Sequence, residues 1–217
     1  SIAPGSAVLY LGRAEVSNAE YRTFAPDHSG TPASGMAHPS CTKENASYPV
    51  VQVGRGAARA FCASVGGALP TRREWLAALR ATGESARLVA AVSDGPEAST
   101  WRTWNLFDRS AATFFPNVVS LTPFSCNDDE PVVRRTLGRQ AGASESAFAE
   151  LIGNVAEWIE TDTNDEPDEP SVIGGSWRTS RDVASSAVHT FEEFVDEETA
   201  LRGRGDIGFR VLLRLSR

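Results

Sequence analysis

The residues of this chain that are best suited to chemistry lie in one stretch, Leu151-Ile152-Gly153-Asn154-Val155-Ala156-Glu157-Trp158. Its apolar residues follow neither the helical period nor the strand period, so we expect a buried, irregular segment. Backbone carbonyls in such a segment lack regular partners, and a bound cation is one way to satisfy them. Glu157 would then supply charge and the carbonyls around Gly153 further oxygens. The alternative is a core loop in which Trp158 packs and Glu157 pairs with an arginine.

The three cysteines, Cys41, Cys62 and Cys126, differ in their surroundings. Cys62 lies among apolar residues at helical spacing, which predicts a buried thiol. Cys41 and Cys126 lie in polar, turn-rich segments, where a disulfide would restrain the chain most, and we predict that they pair. That disulfide would imply an oxidising compartment, although an odd number of cysteines does not prove it. The cysteines and histidines match no zinc-binding spacing.

Other catalytic patterns do not occur in the sequence. Serine, histidine and aspartate are present, but no Gly-x-Ser-x-Gly nucleophile elbow holds a serine. The adjacent glycine pairs, Gly66-Gly67 and Gly174-Gly175, are too short to cradle a phosphate. His28 and His38 fall in a long polar segment, and we expect both to be solvated.

Two acidic segments are candidate contact surfaces. The first spans residues 157–169, and the second spans residues 192–198, where Phe194 and Val195 interrupt the carboxylates. A solvated loop is the alternative interpretation of both.

Patterning predicts short helices early in the chain and strands late, with much irregular loop between them. Ser17 with Glu20, and Thr71 with Glu74, form capping-box patterns that predict helix starts. We expect Tyr21 and Phe24 to face inward, a second helix over 55–66 and a third that ends near residue 81. Strands are expected over 7–11, 172–177 and 208–215. This order predicts an α+β fold in a single domain over residues 1–217.

Composition excludes some classes of function. The chain of 217 residues carries a net charge of -7, which argues against binding to nucleic acid or to an anionic membrane surface. No apolar run approaches the roughly 18 residues of a membrane span. The chain opens Ser1-Ile2-Ala3-Pro4, as a processed protein would, and we expect an exported, periplasmic protein that does not span the membrane.

Several motifs, in their order, resemble the formylglycine-generating-enzyme (sulfatase-modifying factor) family, which has a C-type-lectin-like α+β fold. The resemblance spans nearly the whole chain. The matching pieces are Glu15-Val16-Ser17-Asn18-Ala19-Glu20-Tyr21, Tyr48-Pro49-Val50-Val51, Leu69-Pro70-Thr71 with Glu74-Trp75, Gly153-Asn154-Val155 with Glu157-Trp158, Gly174-Gly175-Ser176-Trp177, and Gly208-Phe209-Arg210.

The resemblance also indicates what this chain lacks. Catalytic members place a pair of cysteines shortly after the Gly-Gly-Ser motif, whereas here no cysteine lies beyond Cys126. Serines are harder ligands than thiolates and poor nucleophiles unless activated. The sulfoxide-synthase branch uses three histidines on iron, and the spacing of His28, His38 and His189 does not match such a site. We therefore expect no enzyme activity.

The resemblance implies structural calcium. In the family, the segment that matches 150–157 binds the ion through two side chains and two carbonyls. These correspond to the side chains of Glu150 and Glu157 and the carbonyls of Gly153 and Val155. The resemblance also implies a second site that begins at Asn105-Leu106, with Asp128 and Asp129 as candidates for its remaining ligands.

The expected function is that of a non-catalytic binding or regulatory protein. Among such members, the chain most resembles a periplasmic regulator of type VI secretion, which promotes activation of a membrane Ser/Thr kinase by acting on its periplasmic part. The two acidic segments are the expected contact surface. The alternatives are an oxidative enzyme with an unrecognised site and a lectin-like ligand-binding receptor.

Overall fold

A computed structural model describes residues 8–28, 46, 48–82, 151–162, 168–176 and 192–215. Within these ranges three helices come early in the chain and most strands come late, as expected for an α+β fold. The elements in chain order are β1 (Val8–Leu11), α1 (Asn18–Arg22), α2 (Arg55–Ser64), α3 (Arg72–Thr82), β2 (Ala156–Ile159), β3 (Ser171–Ile173), β4 (Glu193–Phe194), α4 (Glu197–Arg202), β5 (Ile207–Gly208) and β6 (Leu212–Leu215).

The described strands form two sheets. The larger has the order β4-β3-β2-β5, in which β2 pairs antiparallel with β3 and parallel with β5. The smaller joins the first and the last described strands, β1 and β6, in an antiparallel pair. Mixed sheets with short helices confirm the predicted α+β class.

Both predicted capping boxes are present, and they fix where α1 and α3 begin. The Ser17 hydroxyl accepts from the Glu20 backbone N–H at 3.3 Å, while the Glu20 carboxylate accepts from the Ser17 backbone N–H at 2.7 Å. Thr71 and Glu74 form the same reciprocal pair at 3.3 and 2.8 Å. Each box satisfies N–H groups that a helix start would otherwise leave without partners.

The strand β2 corrects the prediction that residues 151–158 are wholly irregular. Residues 151–155 form an irregular loop, but Ala156–Ile159 pair on both sides within the larger sheet. All four strand residues are buried, so the sequence shows no alternation of polar and apolar residues.

The predicted strand over 208–215 is also wrong, because the structure divides it between β5 and β6. Gly208 pairs with Glu157 in the larger sheet, whereas Leu212 pairs with Leu11 of β1. The chain therefore passes from one sheet to the other over residues 209–211, where Phe209 and Arg210 are both fully buried.

The core packs α1 and α2 against the larger sheet. The rings of Tyr21, Phe61 and Phe209 lie 5.5 to 6.0 Å apart between centroids. Phe24, which was expected to face inward, is 41% exposed. Along the described parts of the chain, no helix has the length and apolar character needed to cross a membrane.

Candidate functional site

The loop before β2 is held by specific polar contacts inside the protein. Gly153 and Asn154 both have left-handed backbone conformations, with φ of 78° and 58°. The Gly153 N–H donates to the carbonyl of Gly174 at 2.9 Å. The Asn154 side-chain amide donates to Glu15 Oε1 at 3.0 Å. The loop is thereby fastened both to the end of β3 and to the segment that precedes α1.

Glu157 in β2 is fully buried and pairs with an arginine. Its oxygens accept from Arg210 Nε at 2.9 and 2.7 Å and from a terminal Arg210 nitrogen at 2.5 Å. Trp75 Nε1 donates to the same carboxylate at 2.8 Å. Because a carboxylate offers about four lone-pair positions, these donors occupy the acceptor capacity of Glu157. The arginine pairing considered for Glu157 is therefore present.

This arrangement bears on the calcium ligands. Gly153 and Val155 lie in the buried loop, and Glu157 lies beside them with its oxygens engaged by Arg210 and Trp75. A calcium ion at Glu157 would have to share these oxygens with the arginine. Calcium at this loop stays a prediction. The remaining expected ligands, Glu150, Asn105 and Leu106 with the candidates Asp128 and Asp129, lie outside the described residues.

The thiol of Cys62 is unsuited to nucleophilic chemistry. It is free and fully buried in α2, as predicted. Burial, aided by the charge of Glu160, raises the pKa of Cys62 to about 12. Since the thiolate is the reactive form, Cys62 is inert at neutral pH. Cys41 and Cys126 lie outside the described residues, so their disulfide stays a prediction, which mass spectrometry of a non-reduced digest would test.

His28 was predicted to be solvated, but the structure shows it partly buried. Its Nε2 lies 3.1 Å from the carbonyl oxygen of Val51. The centroids of the His28 and Tyr21 rings lie 4.9 Å apart, with the ring planes at 74°. His28 therefore fastens the segment after α1 to the core. His38 and His189 lie outside the described residues.

Described residues of both acidic segments line one cavity of about 380 Å³, which we call the acidic pocket. The first segment reaches it from the end of β2 and the start of β3, and the second from β4, while the start of α3 supplies one arginine. Its charged and aromatic lining residues are Arg72, Glu160, Asp162, Glu169, Glu192 and Phe194.

Two of the pocket's carboxylates also hold the surrounding helices. Glu160 accepts from Arg55 at 3.0 Å and from Arg59 Nε at 2.6 Å, which ties β2 to α2. Asp162 accepts from the backbone N–H of Arg73 at 2.9 Å, at the start of α3.

In the ranges that the structure covers, no group of three or more His, Cys, Asp or Glu is arranged to hold a metal ion.

With the fold and these sites described, the chain can be compared with known proteins. A family model for the sulfatase-modifying factor enzyme 1-like domain matches residues 6–215. The chain belongs to this family. A search of curated protein sequences finds no significant match.

Solved structures agree with the fold of a sulfatase-modifying factor enzyme 1-like domain. The crystal structure of CarF is similar with a TM-score of 0.55 at 17% identity, covering 95% of this chain and 86% of CarF. PvdO from Pseudomonas aeruginosa is similar with a TM-score of 0.50 at 14% identity, covering 95% of this chain and 80% of PvdO. At such low identities these likenesses support the fold alone.

The sequence motifs of this family member meet in one core. The Val16 N–H donates to the Phe209 carbonyl, and the Val50 N–H donates to the Val16 carbonyl, both at 2.8 Å. The Ser176 hydroxyl donates to buried Asp206 at 2.8 Å. The described motif residues therefore build the scaffold, and the acidic pocket lies beside it.

Sequence reasoning missed Arg72 as a member of the acidic pocket. Arg72 follows the capping residue Thr71, and its Nε lies 2.7 Å from Glu192 Oε2 across the pocket. Only the fold brings these positions together, so no local pattern in the sequence could have identified the pair.

Proposed function

We propose that this chain is a non-catalytic, periplasmic regulatory protein that promotes activation of a membrane Ser/Thr kinase by binding the kinase's periplasmic part. Among non-catalytic members of the family, the chain resembles TagR, a regulator of the threonine-phosphorylation pathway that controls type VI secretion. The observation that carries the proposal is the acidic pocket, where two acidic segments remote in sequence line one cavity. A cavity rimmed by exposed charged and aromatic side chains is suited to contact another protein.

The thiol chemistry supports a non-catalytic role. Oxidation of a substrate cysteine by the family's enzymes requires reactive active-site thiolates. Cys62 cannot serve, because it is buried and its pKa is raised to about 12. The sequence that follows Ser176 includes Ser180, Ser185 and Ser186 but no cysteine.

Activation would be conformational. A binding protein shifts a kinase towards its active state only if it binds that state more tightly than the inactive one. A tenfold preference corresponds to about 1.4 kcal/mol, which a few charged contacts at the acidic pocket can supply. The acidic pocket would therefore contact a surface of the kinase that is accessible in one state.

The test is reconstitution of the full-length kinase in liposomes with its periplasmic part facing outward. The protein is added outside, and autophosphorylation is followed inside with ATP. The proposal predicts a saturable increase in the rate of autophosphorylation. Glu169→Gln, in the acidic pocket, should shift the saturation curve to higher protein concentration, whereas Asp27→Asn, at an exposed residue outside both acidic segments, should leave it unchanged.

A parallel assay tests for catalysis. The protein is incubated with oxygen, reductant and a cysteine-containing sulfatase-type peptide, with copper or iron supplied, and the peptide is examined by mass spectrometry. Enzymatic oxidation of the peptide cysteine would overturn the non-catalytic role, and autophosphorylation that ignores the added protein would overturn the regulatory one.

A further inference from the structure

The acidic pocket has an excess of negative charge that its own arginines do not balance. Among the described residues, four carboxylates line the cavity and Asp168 precedes the lining residue Glu169, whereas three guanidinium groups contact carboxylates of this set. Asp168 lies 2.8 Å from Arg55 and also contacts Arg59. The carboxylates are Glu160, Asp162, Asp168, Glu169 and Glu192, and the guanidinium groups belong to Arg55, Arg59 and Arg72. The pocket therefore favours a cationic ligand.

Arg72 shows that the pocket can hold a guanidinium group. Its guanidinium lies at the cavity wall with Nε 2.7 Å from Glu192 Oε2. The same Nε is buried and makes no hydrogen bond of good geometry to any acceptor in the described ranges. The pocket thus already holds one guanidinium mainly by charge. Glu160, also in the lining, accepts from both Arg55 and Arg59, which shows that a carboxylate of the pocket can accept from more than one guanidinium group.

Phe194 adds an aromatic surface beside this charge. It lies in β4, lines the cavity and is 66% exposed, although it is a large apolar side chain. Guanidinium groups stack on aromatic faces, and the gain is greater when a partner excludes water. Asp168 and Glu169 are exposed next to β3, so the binding surface continues beyond the cavity itself.

We infer that the acidic pocket binds an arginine-bearing peptide segment of the partner protein, with one arginine side chain against Phe194 and the carboxylates around it. This inference rests on the proposed function, since it names the chemistry of the partner at the same pocket. A peptide segment fits better than a free small cation, because the cavity is larger than one guanidinium and exposed side chains continue outside it.

The experiment measures binding of a fluorescein-labelled peptide, Gly-Arg-Ala-Arg-Leu-Gly, to the whole chain by fluorescence anisotropy. Its control replaces both arginines with citrulline, which keeps the shape and removes the charge. We expect saturable binding of the arginine peptide that weakens as salt rises, and no binding of the citrulline peptide. Free arginine amide should compete much less well than the unlabelled peptide.

Variants locate the binding to the pocket. Glu169→Gln and Phe194→Ala should each raise the Kd about threefold to tenfold, since each removes one partner of the guanidinium. Asp27→Asn is the matched control, because it removes an equal charge from an exposed residue outside both acidic segments. Its Kd should equal that of the unmodified chain. Circular dichroism would confirm that each variant is folded.

Absence of arginine-peptide binding would overturn the inference. Equal weakening by Asp27→Asn and Glu169→Gln would do the same, as would competition by arginine amide as strong as that by the peptide. The two proposals fail separately: kinase activation without peptide binding refutes the arginine-bearing segment, whereas peptide binding without kinase activation refutes the regulatory role.

Discussion

The carboxylate of Glu157 lies in the interior with the guanidinium of Arg210, and neither side chain is more than 1% exposed. Arg210 also donates to the carbonyl of Gly12 at 3.0 Å, while Trp75 donates to Glu157. One ion pair thus connects β2, α3 and the segment after β1. A buried pair of this kind adds little net stability compared with an apolar pair, but losing one partner leaves a buried charge without compensation.

A double-mutant cycle tests this pair. Glu157→Gln and Arg210→Met should each lower the free energy of unfolding by about 3–5 kcal/mol, because each leaves a buried charge behind. The double variant should lose less than the sum of the two, as expected for coupled residues. Urea denaturation measures all three. Glu198→Gln, in an exposed pair with Arg202, is the control and should cost less than about 0.5 kcal/mol. Additive losses would contradict the coupling.

His28 makes the stability depend on pH near neutrality. Burial lowers the pKa of His28 below its ordinary value of 6.5, and the charge of Arg22 lowers it further, although the bond with the Val51 carbonyl opposes this. The unfolded chain therefore binds the proton more readily than the folded one does. By linkage, His28 reduces stability as the pH falls below 6.5 towards the folded pKa.

His28→Gln should flatten this pH dependence. Between about pH 7.5 and pH 5.5, the urea midpoint of the unmodified chain should fall more than that of the variant, because the variant cannot take up this proton. Glu74 does not contribute to the pH dependence of stability in this range, since its pKa is lowered below 4.5. Identical slopes in both proteins would contradict the predicted role of His28.

At the scale of elements, two glycines let α4 pack backbone to backbone against the start of α2. A Cβ on Gly54, which precedes α2, would lie 2.1 Å from the carbonyl oxygen of Leu201. Gly203 ends α4 with φ 74° and ψ 171°, a region that is almost restricted to glycine. A Cβ there would lie 2.4 Å from the backbone nitrogen of Val53. The close approach of these elements therefore depends on the two missing side chains.

Gly203→Ala should lower the free energy of unfolding by at least about 2–3 kcal/mol, through the left-handed φ and the backbone clash together. Gly56→Ala is the matched control, because Gly56 lies in α2 with no other heavy atom within 4 Å of an added Cβ. It should be neutral or stabilise by up to about 1 kcal/mol. Equal effects of the two changes, measured by thermal and urea unfolding, would show that the two elements do not approach as described.

At the scale of the whole molecule, a buried core adjoins a charged surface. Most described motif residues are buried in the core, where they contact one another. Glu157 is buried in this core, whereas Glu160, Asp162, Glu169 and Glu192 line the acidic pocket at the ends of β2, β3 and β4. Glu160 and Asp162 also bond to α2 and the start of α3, so these two carboxylates belong both to the pocket and to the scaffold.

The predicted calcium site depends on the whole fold, because Gly153 and Val155, two of its predicted ligands, lie in a buried loop. If calcium binds only the folded chain, a concentration a hundredfold above the Kd stabilises it by about 2.7 kcal/mol. Chelation should then lower the melting temperature, and Glu157→Gln should reduce that shift. Metal analysis of the undenatured protein gives an independent measurement. A metal-free protein whose melting curve ignores the chelator would leave Glu157 as the partner of Arg210 and Trp75 alone.

The sequence by itself determined the features that depend on near neighbours. The capping boxes at Ser17 and Thr71 were predictable because each joins residues three positions apart. The burial of Cys62 followed from helical spacing within α2. The ordered motifs, which span most of the chain, sufficed to predict the family and the α+β class.

The tertiary structure decided the partners of charged groups. Glu157 and Arg210 are 53 positions apart, and nothing local indicates which of the chain's arginines would reach that carboxylate. The break between β5 and β6 could not be predicted from the sequence either, since the consecutive burial of Phe209 and Arg210 arises from the surrounding core. The acidic pocket likewise forms from residues that are distant in sequence. Charge is visible in a sequence, but whether it meets water, an arginine or a cavity depends on long-range packing.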